Sequence, residues 1–289
     1  MKNKHTIKLV TYNVDGLPET LDLKDLPWIL KPVAWVYKLF KKTTKITAND
    51  GKNHSAEIGD YLSKTDADLI AVQEDFNYHE ELMNHLPDYY AGTHGGEITL
   101  KNLFSNTEWL SYFPFPRFKA DGLNLLVKDD RVEIYDEDIV WWKKSAGYFK
   151  HANDKLTHKG FRRYSVVVDD EYDIDVYIVH FDADFYNPKT CPDVSKDIAA
   201  RKAQYDQLMS YIQAQNSSNP IVIIGDMNNI NEWSIGEEAI STNGEDIDRV
   251  FIINNGKCPY KLSVEDAYRD KDVHLSDHRP FIVTLKIED

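Results

Sequence analysis

Short apolar runs, several alternating with polar residues, recur from one end of the chain to the other. They predict strands over Ile7–Val14, Ala67–Gln73, Gly122–Lys128, Arg131–Ile139, Arg162–Val168, Ile174–Phe181, Ile221–Ile224, Val250–Ile253 and Phe281–Ile287. Val, Ile, Leu and Tyr dominate these runs, as half-buried pleated surfaces favour. Helical spacing falls between them, over Ala56–Leu62, Tyr78–Leu86 and Val194–Gln213. In the longest, Ile198, Tyr205, Leu208, Met209 and Ile212 recur at mixed three- and four-residue intervals, which predicts one apolar stripe. Strands spread over the whole length among fewer helices predict an α/β chain. Two sheets pack together with helices outside, as one domain over residues 1–289.

One segment breaks this pattern. Between Lys24 and Lys45 stand six lysines and one aspartate, interleaved with Trp28, Ile29, Leu30, Val33, Trp35, Val36, Tyr37, Leu39 and Phe40. A helix starting near Pro32 would carry Lys38, Lys42 and Lys45 within about 60° of one another. The region around 18–55 therefore reads as a basic amphipathic insertion. It serves either as a helix half-buried on the sandwich or as a contact with a membrane surface.

The chain as a whole is acidic. Its 34 Lys and Arg stand against 48 Asp and Glu, a net charge of −14. Backbone-directed binders of nucleic acid usually carry a basic surface, so nucleic acid is the less favoured partner unless the charge is unevenly spread or screened by metal ions, and acidic clusters that hold a divalent cation fit the balance equally well. Arg117, Lys119, Arg162 and Arg163 are the residues that could still line a nucleic-acid groove. Two cysteines, Cys191 and Cys258, make neither a disulfide framework nor a zinc site, and leave open one bridge or two small apolar residues. The chain enters a strand directly after Lys4 and shows no signal-like apolar stretch. A cytoplasmic protein is expected, with a secreted form whose signal has been removed as the alternative. No protein partner is indicated.

Polar clusters sit where the predicted strands end. Tyr12-Asn13-Val14-Asp15-Gly16 follows the first strand, and Gln73-Glu74-Asp75 closes the second. His180-Phe181-Asp182 ends another, and Gly225-Asp226-Met227-Asn228 follows the run Ile221–Ile224. Ile247-Asp248 opens a strand, and Ser276-Asp277-His278 precedes the last. Singly, each reads as well as a turn, a helix cap or a solvated strand end. A carboxylate at the tip of a buried strand needs positive charge nearby, which a hard cation such as Mg²⁺ supplies. Asp226 is placed to orient or deprotonate a water and Asn228 to orient it or hold an oxygen. His278 suits a proton donor or phosphate contact, with Asp248 as the carboxylate that fixes its tautomer.

In this order the clusters resemble the endonuclease/exonuclease/phosphatase superfamily, from Ile7 to Leu285. That superfamily includes deoxyribonuclease-I-like nucleases, abasic-site endonucleases, tyrosyl-DNA phosphodiesterases and neutral sphingomyelinases. The resemblance implies a four-layer sandwich of two mixed sheets with helices outside, and a Mg²⁺-dependent phosphodiesterase, with Mn²⁺ as a substitute. It implies Glu74 as central metal ligand with Asn13 and Asp277 beside it. Asp226 and Asn228 then handle the attacking water, His180 and His278 the phosphoryl oxygens, and Asp248 orients His278.

The run Asp154-Lys155-Leu156-Thr157-His158-Lys159-Gly160 resembles the Asp…Lys-Gly element of neutral sphingomyelinases, which implies that Lys159 approaches the phosphate. Asn13-Val14-Asp15-Gly16-Leu17 instead resembles tyrosyl-DNA phosphodiesterases and abasic endonucleases, with Asp15 as an extra ligand. A sphingomyelinase-like phospholipid or small phosphodiester is the first expectation and a nuclease or DNA-end phosphodiesterase the second. A catalytically inactive binding module on the same fold is the third. The aromatic stretch Trp109–Phe118 and the pair Trp141-Trp142 serve either the pocket or the core.

Overall fold

The computed structural model describes residues 5–17, 53–99, 118–147, 157–183, 193–228, 235–241 and 247–288. Residues 18–52 of the basic segment, Arg117, Cys191 and most of the Trp109–Phe118 stretch lie outside these residues. In chain order the described elements are β1 (Thr6–Asn13), α1 (Ser55–Thr65), β2 (Leu69–Gln73), α2 (His79–Asn84), β3 (Tyr89–Ala91), β4 (Asn124–Lys128), β5 (Val132–Trp141) and β6 (Gly160–Val168). They continue with β7 (Tyr172–His180), α3 (Ser195–Gln215), β8 (Ile221–Asp226), β9 (Glu237–Glu238), β10 (Asp248–Ile253), β11 (Lys261–Arg269) and β12 (Phe281–Glu288).

The strands form two six-stranded sheets, ordered β11-β12-β1-β2-β4-β3 and β5-β6-β7-β8-β10-β9. Each sheet contains one parallel pair, β1 beside β2 and β7 beside β8, and antiparallel pairs elsewhere. A parallel pair needs a crossover, and α1 and α3 lie within the two crossovers. The consequence for function is direct. The parallel pairs end together, Asn13 opposite Gln73 in one sheet and His180 opposite Asp226 in the other. Polar residues from four strands thus emerge at strand C-termini.

The period of two divides each central strand between two cores. Ile7, Leu9, Leu69 and Ala71 of the first sheet meet Ile174, Val176, Ile178, Val222 and Ile224 of the second between the sheets. The alternate residues Val10, Tyr12, Ile70 and Val72 pack with Ile58 and Leu62 of α1 and Leu82 of α2. Tyr177, Val179, Ile221 and Ile223 pack with Leu208 and Ile212 of α3. Strands covered on both faces explain the near-continuous apolar runs, and the order helix, sheet, sheet, helix is the four-layer sandwich expected. Each fully buried Val, Leu or Ile contributes roughly 1.5–3 kcal/mol.

Two details differ from the sequence pattern. The stripe expected on α3 is only partly the buried face: Ile198 is exposed, whereas Asp197, Arg201 and Gln204 are buried with Leu208 and Ile212. Arg201 Nη1 donates to the Asp182 carbonyl at 3.1 Å, and Gln204 accepts from the Asp182 amide at 3.1 Å. The first turns of α3 thus brace the segment after β7 rather than fill a core. The strands β3, β9 and β11 were not predicted. β11 is an edge strand with a bulge between Val264 and Asp266 and largely solvated side chains, so it lacks the apolar periodicity of a covered strand.

Candidate active site

The tips of the two parallel pairs converge. Asn13 Nδ2 donates to Glu74 Oε1 at 3.1 Å and approaches Asp226 Oδ2 at 3.4 Å. His180 Nε2 lies 3.4 Å from the same Asp226 oxygen and 4.0 Å from Glu74 Oε1. His278 Nε2 comes within 3.7 Å of Asp226 Oδ2, while its Nδ1 donates to Asp248 at 2.9 Å. Asn13, Glu74, His180, Asp226, Asp248 and His278 therefore share one site.

The backbone is shaped to make this possible. Glu74 sits at φ 58° and Asn228 at φ 49°, left-handed conformations that non-glycine residues adopt at some cost. The Glu74 carbonyl accepts from Gly16 at 3.0 Å and from Phe76 at 2.9 Å, which holds the turn. A Cβ on Gly16 would stand 2.5 Å from that carbonyl oxygen, so the close approach requires glycine. Asn228 is fixed on both sides: its amide donates to Asp226 Oδ1 at 2.8 Å and its Nδ2 to the Phe181 carbonyl at 2.8 Å. Ser276 Oγ donates to the Asn13 carbonyl at 2.7 Å and so ties the segment of His278 to β1.

Charge is unequally distributed over the two imidazoles. Burial, followed by the charges of Lys159 and His278, pushes His180 well below the ordinary histidine value and leaves it neutral. Lys159 Nζ lies 2.9 Å from His180 Nε2, which also faces Asp226 Oδ2 at 3.4 Å, while Nδ1 is buried without a hydrogen-bond partner. Burial also opposes charge on His278, but the Asp248 carboxylate outweighs it, helped by Asp226 and Asp277, and raises His278 well above its ordinary value. Burial pushes Asp226 up to about 6, against the lowering pull of His278. A fully buried Asp248 has its own permanent counter-charge in Arg269, whose Nη2 donates to the Asp248 carbonyl at 2.5 Å and whose Nη1 lies 3.8 Å from its carboxylate.

A family model described as the endonuclease/exonuclease/phosphatase family matches residues 10–278. The chain belongs to that family. Its members are hydrolases that act on phosphodiester bonds. No curated protein sequence matches the chain significantly. Among solved structures, humanized D. rerio TDP2 is 13% identical with a TM-score of 0.61, covering 97% of this chain and 99% of its own. Staphylococcus aureus beta toxin is 16% identical with a TM-score of 0.58, covering 96% and 99%. An endonuclease/exonuclease/phosphatase from Bacteroides vulgatus is 14% identical with a TM-score of 0.57, covering 98% and 99%. At these identities the likeness shows the shared family fold: two mixed sheets with helices outside.

The other candidate residues divide. Asp15 lies beside the site at φ 46°, its amide bonded to Asn13 Oδ1 at 3.1 Å. Asp277 is exposed, 3.2 Å from Ser276 Oγ, and acts on His278 through its charge. Arg162 does not line a groove: it is buried and held bidentately by Asp121 at 2.9 and 3.1 Å. Arg163 is tied to Asp136 and Asp175 at 2.9 and 3.3 Å. The tryptophan pair splits across the strand end. Trp142 is buried and donates to the His180 carbonyl at 2.9 Å, whereas Trp141 is half-exposed and stacks on His158 at 4.6 Å. Trp141, Lys119, Asp121, His94 and Gly95 line an open cavity of about 520 Å³. Arg269 and Gln204 are supports that sequence reasoning missed, since each lies on an element without a strand-end motif.

Proposed function

We propose that the protein is a Mg²⁺-dependent phosphodiesterase that cleaves its substrate by water attack, the substrate being a phospholipid or small phosphodiester of the sphingomyelinase-like kind. The observation that carries this reading is the convergence, within 3.1–4.0 Å contacts, of Asn13 and Glu74 from one sheet on His180 and Asp226 from the other. Two carboxylate oxygens, Glu74 Oε1 and Asp226 Oδ2, face one spot and are the oxygen donors a hard divalent cation takes, while Asn13, which turns Nδ2 toward them and Oδ1 to the Asp15 amide at 3.1 Å, would rotate its amide to ligate. The donor set thus fits the ion. Glu74 would hold it with Asn13 and Asp277, and with Asp15 at the margin. When bound, the ion supplies Lewis acidity toward a phosphoryl oxygen. Magnesium ions are bound in a Staphylococcus aureus beta toxin structure of the same fold.

The chain's own residues supply the rest. Asp226, raised toward neutrality, is suited to take a proton from the attacking water, which Asn228 helps orient. His278, protonated and locked by Asp248, presents Nε2–H to a phosphoryl oxygen. At the opposite corner, with Lys159 on Nε2 of a neutral His180, the positive charge is the ammonium's. These charges offset the acidic surface toward an anionic substrate.

The contact of Lys159 with His180 supports the lipid reading, because it brings the Lys-Gly element into the site. The internal engagement of Arg162 and Arg163 supports it too, because those residues are spent within the fold. A second reading, a DNA-end phosphodiesterase, is favoured by the equal coverage of TDP2, one structure of which is complexed with a single strand DNA product. Hydrolysis of sphingomyelin vesicles against single-stranded and plasmid DNA decides between them. Glu74→Gln, assayed beside the wild type on bis-p-nitrophenyl phosphate with Mg²⁺, tests the metal assignment. Loss of turnover is expected, and undiminished turnover rejects Glu74 as ligand.

A further inference from the structure

Outside the catalytic cluster, three other donors converge. Asp75 directly follows Glu74 beyond β2, His79 opens α2, and His94 lies in the loop after β3. One carboxylate oxygen and two ring nitrogens from these residues lie within 4.8 Å of one another. Asp75 is 2% exposed, and a carboxylate so buried requires compensating positive charge. Among the described residues no Lys or Arg pairs with it, and the His79 imidazole is the group that meets its carboxylate. His79 Nδ1 lies 2.6 Å from Asp75 Oδ2. His94 Nε2 lies 2.8 Å from the Asp75 backbone carbonyl, and because a carbonyl only accepts, that nitrogen carries the hydrogen. Anchoring one ring nitrogen on a carbonyl and freeing the other is the arrangement usual for metal-binding histidines.

We propose that Asp75, His79 and His94 form a second cation site, distinct from the site at Glu74 and selective for a borderline ion such as Zn²⁺ over Mg²⁺. Two imidazoles and one carboxylate with an open position are a donor set that Zn²⁺ takes, whereas Mg²⁺ prefers oxygen alone. Donors on one tetrahedral ion stand about 3.3 Å apart. The Asp75–His79 contact must therefore open, and the two rings, stacked with centroids 4.5 Å apart, must tilt from one another. Both histidines are half-buried, at the start of a short helix and in a loop. An ion held there would cross-link the strand end that carries Glu74 to α2 and to His94, which lines the open cavity with Lys119 and Trp141. The proposal does not depend on the phosphodiesterase reading.

The test is calorimetric binding of ZnCl₂ to the metal-stripped full chain, with Co²⁺ absorption as a second probe of imidazole ligation. Wild type and Glu74→Gln are expected to share one Zn²⁺-binding event of equal affinity, beyond whatever Zn²⁺ the wild type also takes at Glu74. His79→Gln and His94→Gln should each weaken that shared event by roughly 100-fold or more, beyond the effect of losing an outer-shell partner. Asp75→Asn, which keeps the side-chain shape, should weaken binding likewise if either histidine variant fails to fold. No Zn²⁺ uptake by wild type, loss of uptake in Glu74→Gln, or undiminished affinity in the folded Asp75 and histidine variants would each overturn the site. Failure of phosphodiester hydrolysis with Zn²⁺ binding intact would reject the proposed function and leave this site standing.

Discussion

Replacing Asp226 by Asn should stabilise the metal-free protein while removing its activity. Asp226 is 2% exposed, and burial lifts its carboxyl from 3.8 to about 6. Holding the carboxylate ionised at neutral pH therefore costs about 3 kcal/mol relative to the unfolded chain. Asn removes that cost but turns an NH₂ toward Asn13 Nδ2, now 3.4 Å from Asp226 Oδ2, so roughly 1 kcal/mol of hydrogen bonding is lost. The expected net gain is about 2 kcal/mol at neutral pH. The sign with pH follows from the raised value. The carboxyl's contribution to stability is full below its ordinary 3.8 and is lost as pH rises through about 6, so the variant's advantage grows over that window. Urea unfolding of chelator-treated wild type and Asp226→Asn, at about pH 4.5 and about pH 7.5, reads the difference. A variant less stable than wild type at neutral pH, or an advantage that does not grow with pH, would refute the account of Asp226 as a residue held against the fold's stability.

Further outcomes follow from the supports around the site. Arg269→Met removes the hydrogen bond to the Asp248 carbonyl and the longer of two counter-charge contacts to its buried carboxylate, leaving His278, so a loss of about 1–3 kcal/mol in urea unfolding is expected. Arg269→Lys should restore part of it, and unchanged stability in the Met variant would show that Arg269 does not compensate Asp248. Gly16→Ala puts a methyl 2.5 Å from the Glu74 carbonyl oxygen and must displace that backbone. The Mg²⁺ concentration giving half-maximal hydrolysis should rise about tenfold, comparable to losing an outer-shell partner, with the fold retained. An unaltered Mg²⁺ requirement would mean that the Glu74 turn tolerates the shift.

Much of the molecule was legible because strand periodicity and strand-end chemistry are both local. His180 and Asp226 each follow an unbroken apolar run and Asn13 an apolar run broken by Lys8 and Thr11, and such runs arise where both faces of a strand are covered. The pairing of His278 with Asp248 was likewise readable from chemistry, since an imidazole doing work at neutral pH needs a partner for its other nitrogen. What was not legible is what the chain's return in space decides. Arg162 reads as a surface cation, yet it closes on Asp121 across 41 residues. The buried face of α3 carries Asp197, Arg201 and Gln204 because it meets a backbone turn with amides and carbonyls to satisfy, which no apolar count reveals. The left-handed backbone of Glu74 has no residue signature, because glycine would ordinarily be expected there. His79 and His94 are separated by a strand and carry no motif spacing, so their approach to Asp75 appears only in three dimensions.

The most direct measurement is the rate of bis-p-nitrophenyl phosphate hydrolysis by chelator-stripped wild-type protein as Mg²⁺ is restored. The account predicts negligible turnover without the ion and saturable recovery as it is added. Turnover that persists unchanged in the stripped protein, or that no divalent cation restores, would contradict a phosphodiesterase built on Glu74 and its neighbours.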